Sequence, residues 1–195
     1  MDRITRAAVL VVALIGALGA LSSSAGAVTW HNTGSTAFTA TSGPFTFSTT
    51  SAGLNCTGST STGTAPSTTV GVTYSMTMTT TFSGCTLGGV TTGWECNERF
   101  TMTSQSGGVT SGTLDVTCGI YQYNSKLCHM GGSWPATYTN PVLGVGVLDL
   151  VTGGNLFFSN ATAGTCPFGN GDRMHASAVT RRTTSANPPV ITRTA

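Results

Sequence analysis

The chain has 195 residues, eight of them Lys or Arg and six Asp or Glu, and charged residues make up only 7% of it where about 25% is usual. Binding to nucleic acid or to an anionic membrane surface needs a dense basic patch that releases counterions, so neither partner is expected. Abundant Gly, Ser and Thr would suit a polar disordered chain, but Val, Phe, Tyr, Met and Leu return too regularly for that.

Arg3 and Arg6 open the chain, followed by an apolar run from Ala7 to Leu21 and the small-residue site Ala25-Gly26-Ala27. That order is the layout of a secretory signal peptide, and the run falls short of the roughly 20 apolar residues of a spanning helix. The reading is therefore a signal peptide over residues 1–27 and one extracellular domain over 28–195. No cysteine follows the cleavage site to take a lipid, and Val190 to Ala195 shows no sorting motif. Secretion, or loose association with the cell envelope, is expected, with no stable membrane insertion after cleavage. The 168 residues that remain are enough for one core, burying about 70% of the surface of the unfolded chain. Cleavage removes Asp2, Arg3 and Arg6, leaving a net charge of +1. Arg173, Arg181, Arg182 and Arg193 gather near the end and read as a solvated, flexible C-terminal tail.

Six cysteines, Cys56, Cys85, Cys96, Cys118, Cys128 and Cys166, all lie in the exported part. An even count in an oxidising compartment reads as three disulfides. Zinc is disfavoured, because no C-x-x-C pair exists and His129 sits directly beside Cys128.

Phe38 and Ala40 alternate with threonines, as do Phe45 and Phe47, and Ser42-Gly43 between them suits a tight two-residue hairpin. Gly63 to Thr69, with Pro66, reads as a loop. Val70, Val72, Tyr74, Met76, Met78 and Phe82 then share one parity and threonines fill much of the other, which predicts a long strand with a buried face and a wet one. Trp94, Cys96, Phe100 and Met102 share a face on the next strand, and Leu114, Val116, Cys118 and Ile120 on the one after. Folding about Gly107 sets Phe100 opposite Leu114 and Cys96 opposite Cys118, within the reach a disulfide requires. Cys56 with Cys85 and Cys128 with Cys166 are the simplest remainder.

Val142 to Phe158 carries apolar residues on both parities, which suggests a strand covered on both sides. Gly144 and Gly146 suggest close approach of a backbone or an aromatic ring, and Gly153-Gly154-Asn155 turns the chain back. No segment of the exported part shows a helical period. An all-β fold follows, an antiparallel β-sandwich or a related β-barrel, stapled by disulfides.

No cofactor motif is present, and Gly144-Val145-Gly146 lacks the third glycine and the helix of a dinucleotide fingerprint. Glycosidase chemistry needs two carboxyls about 5 to 9.5 Å apart, whereas Glu95 and Glu98, three apart on a strand, point to opposite faces. Glu98 shares the inward parity of Trp94 and Phe100, and the plain expectation is that it pairs with Arg99 or lies at the sheet margin. No nucleophile elbow surrounds any serine, and His31, His129 and His175 are each isolated.

The richest stretch runs from Tyr121 to Tyr138. Tyr121, Tyr123, Asn124, Lys126, His129, Trp134 and Tyr138 bring together rings, an amide and the sequence's only lysine. Ring planes with nearby amides suit recognition of a sugar or a protein, and these seven are the candidate ligand-binding residues.

The sequence carries Phe38-Thr39-Ala40-Thr41, Leu54-Asn55-Cys56, Phe82-Ser83-Gly84-Cys85 and then Cys96. This order is similar to that of a loose group of secreted actinobacterial proteins of unknown function. Its front half also resembles the secreted alkane-oxidation activator proteins, which run from an F-T-A-T-like start to a leucine-then-cysteine strand. The resemblance covers about a third of the chain and implies export and β structure, with no catalytic residue.

The leading expectation is a noncatalytic extracellular or cell-envelope protein, structural or binding, whose partner is a cell-wall or extracellular polysaccharide or a protein. The alternatives are a small secreted hydrolase using Glu98 or Asp115 with a histidine, and a carrier of an apolar ligand suggested by Met76 and Met78.

Overall fold

The computed structural model describes residues 27–49, 53–122, 125–160, 166, 168 and 171–194, and the side chains of residues 122, 125–127, 160 and 176 stand outside that description, as does the expected leader. The described residues contain no helix and fifteen strands: β1 (Thr29–Asn32), β2 (Ala37–Ser42), β3 (Phe45–Ser48), β4 (Gly53–Cys56), β5 (Gly58–Thr64), β6 (Thr68–Val70), β7 (Tyr74–Leu87), β8 (Val90–Ser106), β9 (Val109–Gln122), β10 (Ser125–Val142), β11 (Val145–Leu150), β12 (Asn155–Asn160), β13 (Arg173–Ala176), β14 (Val179–Thr183) and β15 (Ile191–Thr194).

Four pairs of short strands are halves of longer ones. The ladder of β2 on β5 sets Ser42 opposite Ser59, and that of β3 on β4 sets Phe45 opposite Cys56 in unbroken register. The same holds where β5 and then β4 run along β7, and where β14 and β13 run along β2 and β3. In the same way β11 and β12 share β10 between them. Counting halves together, eight antiparallel staves follow one another in chain order from β2–β3 to β13–β14, and the last pairs with the first. The sheet therefore closes on itself as an up-and-down barrel, which leaves no free edge among the staves.

The long staves bend at bulges, where an extra residue kinks the strand and raises its twist. One lies between Phe82 and Cys85, beside Gly84 at φ 57°. It switches parity, so that Tyr74, Met76, Met78, Thr80 and Phe82 point inward before it and Cys85 and Leu87 after it. Eight strands enclose a space just wide enough for side chains to fill, and one continuous core fills it, from Tyr74 and Tyr138 at one end to Leu54 and Phe158 towards the other. Outward positions of β5, β7, β8 and β9 are mostly Thr and Ser, with Gly, Asn, Gln, Asp, Glu and Arg among them, unlike the outward apolar band of a membrane-spanning barrel.

A three-stranded sheet of β15, β1 and β6 covers the end at which β7 begins. Trp30 is fully buried there, 6.1 Å from the Tyr74 ring. Asn32 fastens the lid with four bonds: its Nδ2 donates to Ser35 and Ala65 carbonyls, and its Oδ1 accepts from Gly34 and Val190 N–H.

The disulfides join Cys56 to Cys85, Cys96 to Cys118 and Cys128 to Cys166, with no cysteine left free. The all-β, disulfide-stapled fold and the register of the β8–β9 hairpin match the sequence reading, including Phe100 opposite Leu114. Three disulfides belong to an oxidising, non-cytoplasmic environment. No helix among the described residues is long and apolar enough to cross a membrane.

Other expectations are corrected. β2 and β3 do not fold back on each other: Pro44 follows Ser42-Gly43, and its missing N–H removes a bond that would close such a hairpin. They continue as one kinked stave. The expected loop over Gly63 to Thr69 shrinks to residues 65–67 between β5 and β6. Val70 and Val72 are exposed, since the chain breaks at Gly71, φ 143°, before β7 begins. Val145 to Leu150 is buried on one face only. Gly146 does meet a ring, since a Cβ there would come within 2.3 Å of the Tyr138 hydroxyl, whereas Gly144 serves a turn in open space. The C-terminal arginines do not form a solvated tail: Arg173 lies in β13, Arg181 and Arg182 in β14 and Arg193 in β15.

Candidate functional site

Polar side chains concentrate in two places on opposite sides of the same sheet wall. The first lies inside the barrel. Glu98 on β8 and Arg181 on β14 are four staves apart around an eight-stave ring, so they face each other across the interior. The guanidinium spans that gap with two bonds, one from Nη1 to Oε2 and one from Nη2 to Oε1 at 2.9 Å. Thr80 Oγ1 donates to Glu98 Oε2 at 3.0 Å and accepts from Arg181 Nη1 at 3.2 Å, and Ser61 Oγ bonds to Thr80 Oγ1 at 2.8 Å. Arg181 also lies 5.9 Å from the centre of the Phe82 ring. Both ions are 5% exposed or less.

A buried pair of this kind withstands desolvation through its bidentate geometry and the Thr80 hydroxyl beside it, although Arg181 Nε has no hydrogen-bond partner among the described residues. It is a strut rather than a reactive group. Glu98 has Arg181 for its partner instead of the expected Arg99, whose side chain is on the outer face. Beside the strut lies a cavity of about 10 Å³ among Phe47, Trp94, Val116 and Trp134, no more than a single water needs.

The second place is the outer face of β5, β7, β8 and β9. There the coiled wall holds a groove of about 530 Å³. In-register rows cross its floor: Thr62, Thr79, Asn97 and Thr117 form one, and Thr64, Thr77, Arg99 and Asp115 the next. Thr64 and Thr77 hydroxyls bond to each other at 3.1 Å. Thr79 donates to Asn97 Oδ1 at 3.2 Å, which fixes the amide and leaves its Nδ2 hydrogens as donors to the groove. From β5 to β9 the rows extend about 14 Å, three strand spacings.

A smaller pocket of about 190 Å³ continues the groove, sharing Asn97 and Thr117 and adding Glu95, Tyr121 and His129. Gly119 stands between Glu95 on one side and His129 on the other in the same cross-strand row, so two polar side chains about 10 Å apart flank a position with no side chain.

The seven candidate residues separate accordingly. Tyr121 and His129 line the small pocket. Trp134 and Tyr138 are each 2% exposed and belong to the core, which corrects their reading as contact residues. Trp134 Nε1 donates to the Val151 carbonyl, and Tyr138 Oη to that of Pro189 at 2.6 Å. Burial, with the neighbouring Tyr74 adding to it, pushes the Tyr138 hydroxyl well above the ordinary tyrosine range. Tyr123 and Asn124 lie outside the described residues, as does the side chain of Lys126. The groove residues Thr62, Thr79, Asn97 and Thr117 were visible only as a wet threonine face or as isolated polar positions. Their convergence depends on cross-strand register, which local patterning does not supply.

Among the described residues no three His, Cys, Asp or Glu side chains gather to hold a metal. Comparison of the chain with protein-family models, curated proteins and solved structures finds no match to any of them.

Proposed function

We propose that this protein is an exported, noncatalytic binding protein of the extracellular space or cell envelope, a disulfide-stapled barrel that presents its outer groove to an extracellular polysaccharide. The observation that carries the reading is the groove itself: about 530 Å³ lined by fixed hydroxyls, an amide and one Arg–Asp row on a rigid wall, a density of hydrogen-bonding groups suited to a hydroxyl-rich ligand. Export is supported by the leader-like N-terminus, the three disulfides and the resemblance to secreted actinobacterial proteins. The polar outer wall supports a molecule that stays in water.

The apolar carrier has less support, because the interior is filled by side chains and a charged strut. The hydrolase reading also has little. Glu98 is engaged by Arg181, and Glu95 and Asp115 are about 14 Å apart along the wall, beyond the separation at which two carboxyls act on one glycosidic bond.

Pull-down of the oxidised protein on bacterial cell walls and insoluble polysaccharides tests the reading, with the supernatant assayed for released sugars. Retention without release, lost in Asn97→Ala/Arg99→Ala, is the expected result. Release of fragments would replace binding with hydrolysis. Retention that survives the double substitution would move the contact surface elsewhere.

A further inference from the structure

Charge on the floor of the larger groove takes the form of one opposed pair. Arg99 on β8 and Asp115 on β9 are direct cross-strand partners, which sets their Cβ atoms about 5 Å apart. Both side chains are exposed and both line the groove. They nevertheless form no ion pair with each other, and neither has a hydrogen-bond partner among the described residues. In the same row the hydroxyls of Thr64 and Thr77 bond to each other at 3.1 Å, so the guanidinium and the carboxylate are the uncommitted groups of that row.

Two opposite charges so close together suit one class of ligand. A carboxylate on the ligand gains from Arg99 what it loses to Asp115, and an ammonium meets the reverse, so either ion gives up its hydration for little net attraction. Vicinal hydroxyls meet no such conflict. The Asp115 carboxylate accepts from two O–H groups, the Arg99 guanidinium donates to a ligand oxygen, and each of these bonds is charge-assisted from the protein side alone. In the neighbouring row Asn97 Nδ2 adds a further donor.

We infer that the ligand is an uncharged polysaccharide with free vicinal hydroxyls, and that Arg99 and Asp115 set this specificity together, taking a diol between them and disfavouring chains that carry a charge on every sugar. This rests on the binding reading above and narrows it to a substrate class. Discrimination against charge comes from the balance within the pair. Removing either member therefore admits the charge that the other attracts.

Titration calorimetry of the oxidised protein with three soluble β-1,4-linked hexamers, of glucose, glucosamine and glucuronate, separates the two levels of the argument. The glucose hexamer is expected to bind about tenfold tighter than either charged one, with an affinity that does not change as ionic strength rises. Asp115→Asn should weaken the glucose hexamer and bring glucuronate above it, and Arg99→Gln should do the same for glucosamine. Both are substitutions of exposed side chains, which leave the fold intact, and Thr91→Ala, outside the groove, should change none of the three. A charged hexamer that binds the unmodified protein as tightly as glucose, or an order that fails to invert in either variant, would overturn the balanced pair and leave the groove standing. Absence of binding to any hexamer would overturn both.

Discussion

The inner and outer faces of β7, β8 and β9 are built from alternate residues of the same strands, yet they use polar chemistry in opposite ways. Inside, every hydrogen-bonding group of the Glu98 carboxylate is directed at a protein partner, and Ser61, Thr80 and Arg181 complete the set. Outside, Thr79 donates to Asn97 Oδ1, and Asn97 keeps its Nδ2 hydrogens as donors for a ligand. A one-residue step along β8, from Glu98 on to Arg99 or back to Asn97, therefore crosses from a group the fold uses up to one it leaves available. Period-two geometry makes the division sharp, because a one-residue shift of register would exchange the two sets.

The comparison breaks most readily at the strut. Arg181→Met removes the guanidinium and leaves Glu98 buried without its counter-charge, a change that costs about 3–5 kcal/mol. Adding Glu98→Leu should restore most of that loss, since a buried ion pair replaced by packed apolar residues is often neutral or stabilising. Urea denaturation of the two variants measures both. A single variant as stable as the parent would show that Glu98 has water or another partner within reach.

Next in size is the Cys96–Cys118 bridge, which closes a loop of 22 residues of sequence separation. Its removal in Cys96→Ala/Cys118→Ala should cost about 3 kcal/mol in the chain-entropy model. The same measurement shows whether the hairpin register holds without the bridge. Phe100 opposite Leu114 and the Gly107-Gly108 turn, at φ 56° and 81°, are independent determinants of it.

How much was legible in the sequence follows the same inner and outer division. Alternation and turn chemistry are local, so the β7, β8 and β9 faces and the Cys96–Cys118 register could be read directly from residues such as Met76, Phe100 and Gly107. Barrel closure could not, because it depends on β14 meeting β2 from the far end of the chain. Arg181 was missed for that reason. The available signal was Glu98 on an inward parity, a charge that needs a partner from somewhere. Trp134 and Tyr138 were misread because composition marks a ring as useful without saying which side of the wall it faces. The groove was half visible: its threonines were recognised as wet, but rows such as Thr62, Thr79, Asn97 and Thr117 exist only after four strands are aligned.

Alkaline pH tests the lid end of the interior. Burial raises the hydroxyls of Tyr74 and Tyr138 well above their ordinary value, while both titrate near pH 10 in the unfolded chain. Above that pH the unfolded state has given up protons that the folded state keeps, so stability is full below about pH 10 and falls as pH rises beyond it. Each tyrosine contributes up to about 1.4 kcal/mol per pH unit. Tyr138→Phe should halve the slope between pH 10 and 11. It also loses the bond to the Pro189 carbonyl, a cost of about 1 kcal/mol at neutral pH. An unchanged slope would mean that the lid opens before the barrel and exposes both hydroxyls.

The smallest effect on stability belongs to the outer face, and its smallness is the informative part. Asn97→Ala deletes an exposed amide whose one bond within the protein is to Thr79, and such surface changes stay within about 0.5 kcal/mol. Its denaturation curve should overlay that of the parent, while retention on polysaccharide falls sharply. A large stability loss instead would make Asn97 a structural residue of the Thr62–Thr117 row, and the two faces of the wall would no longer differ in kind. Unchanged stability with weakened binding keeps the difference: one face of each strand holds the barrel together, and the other is left for the ligand.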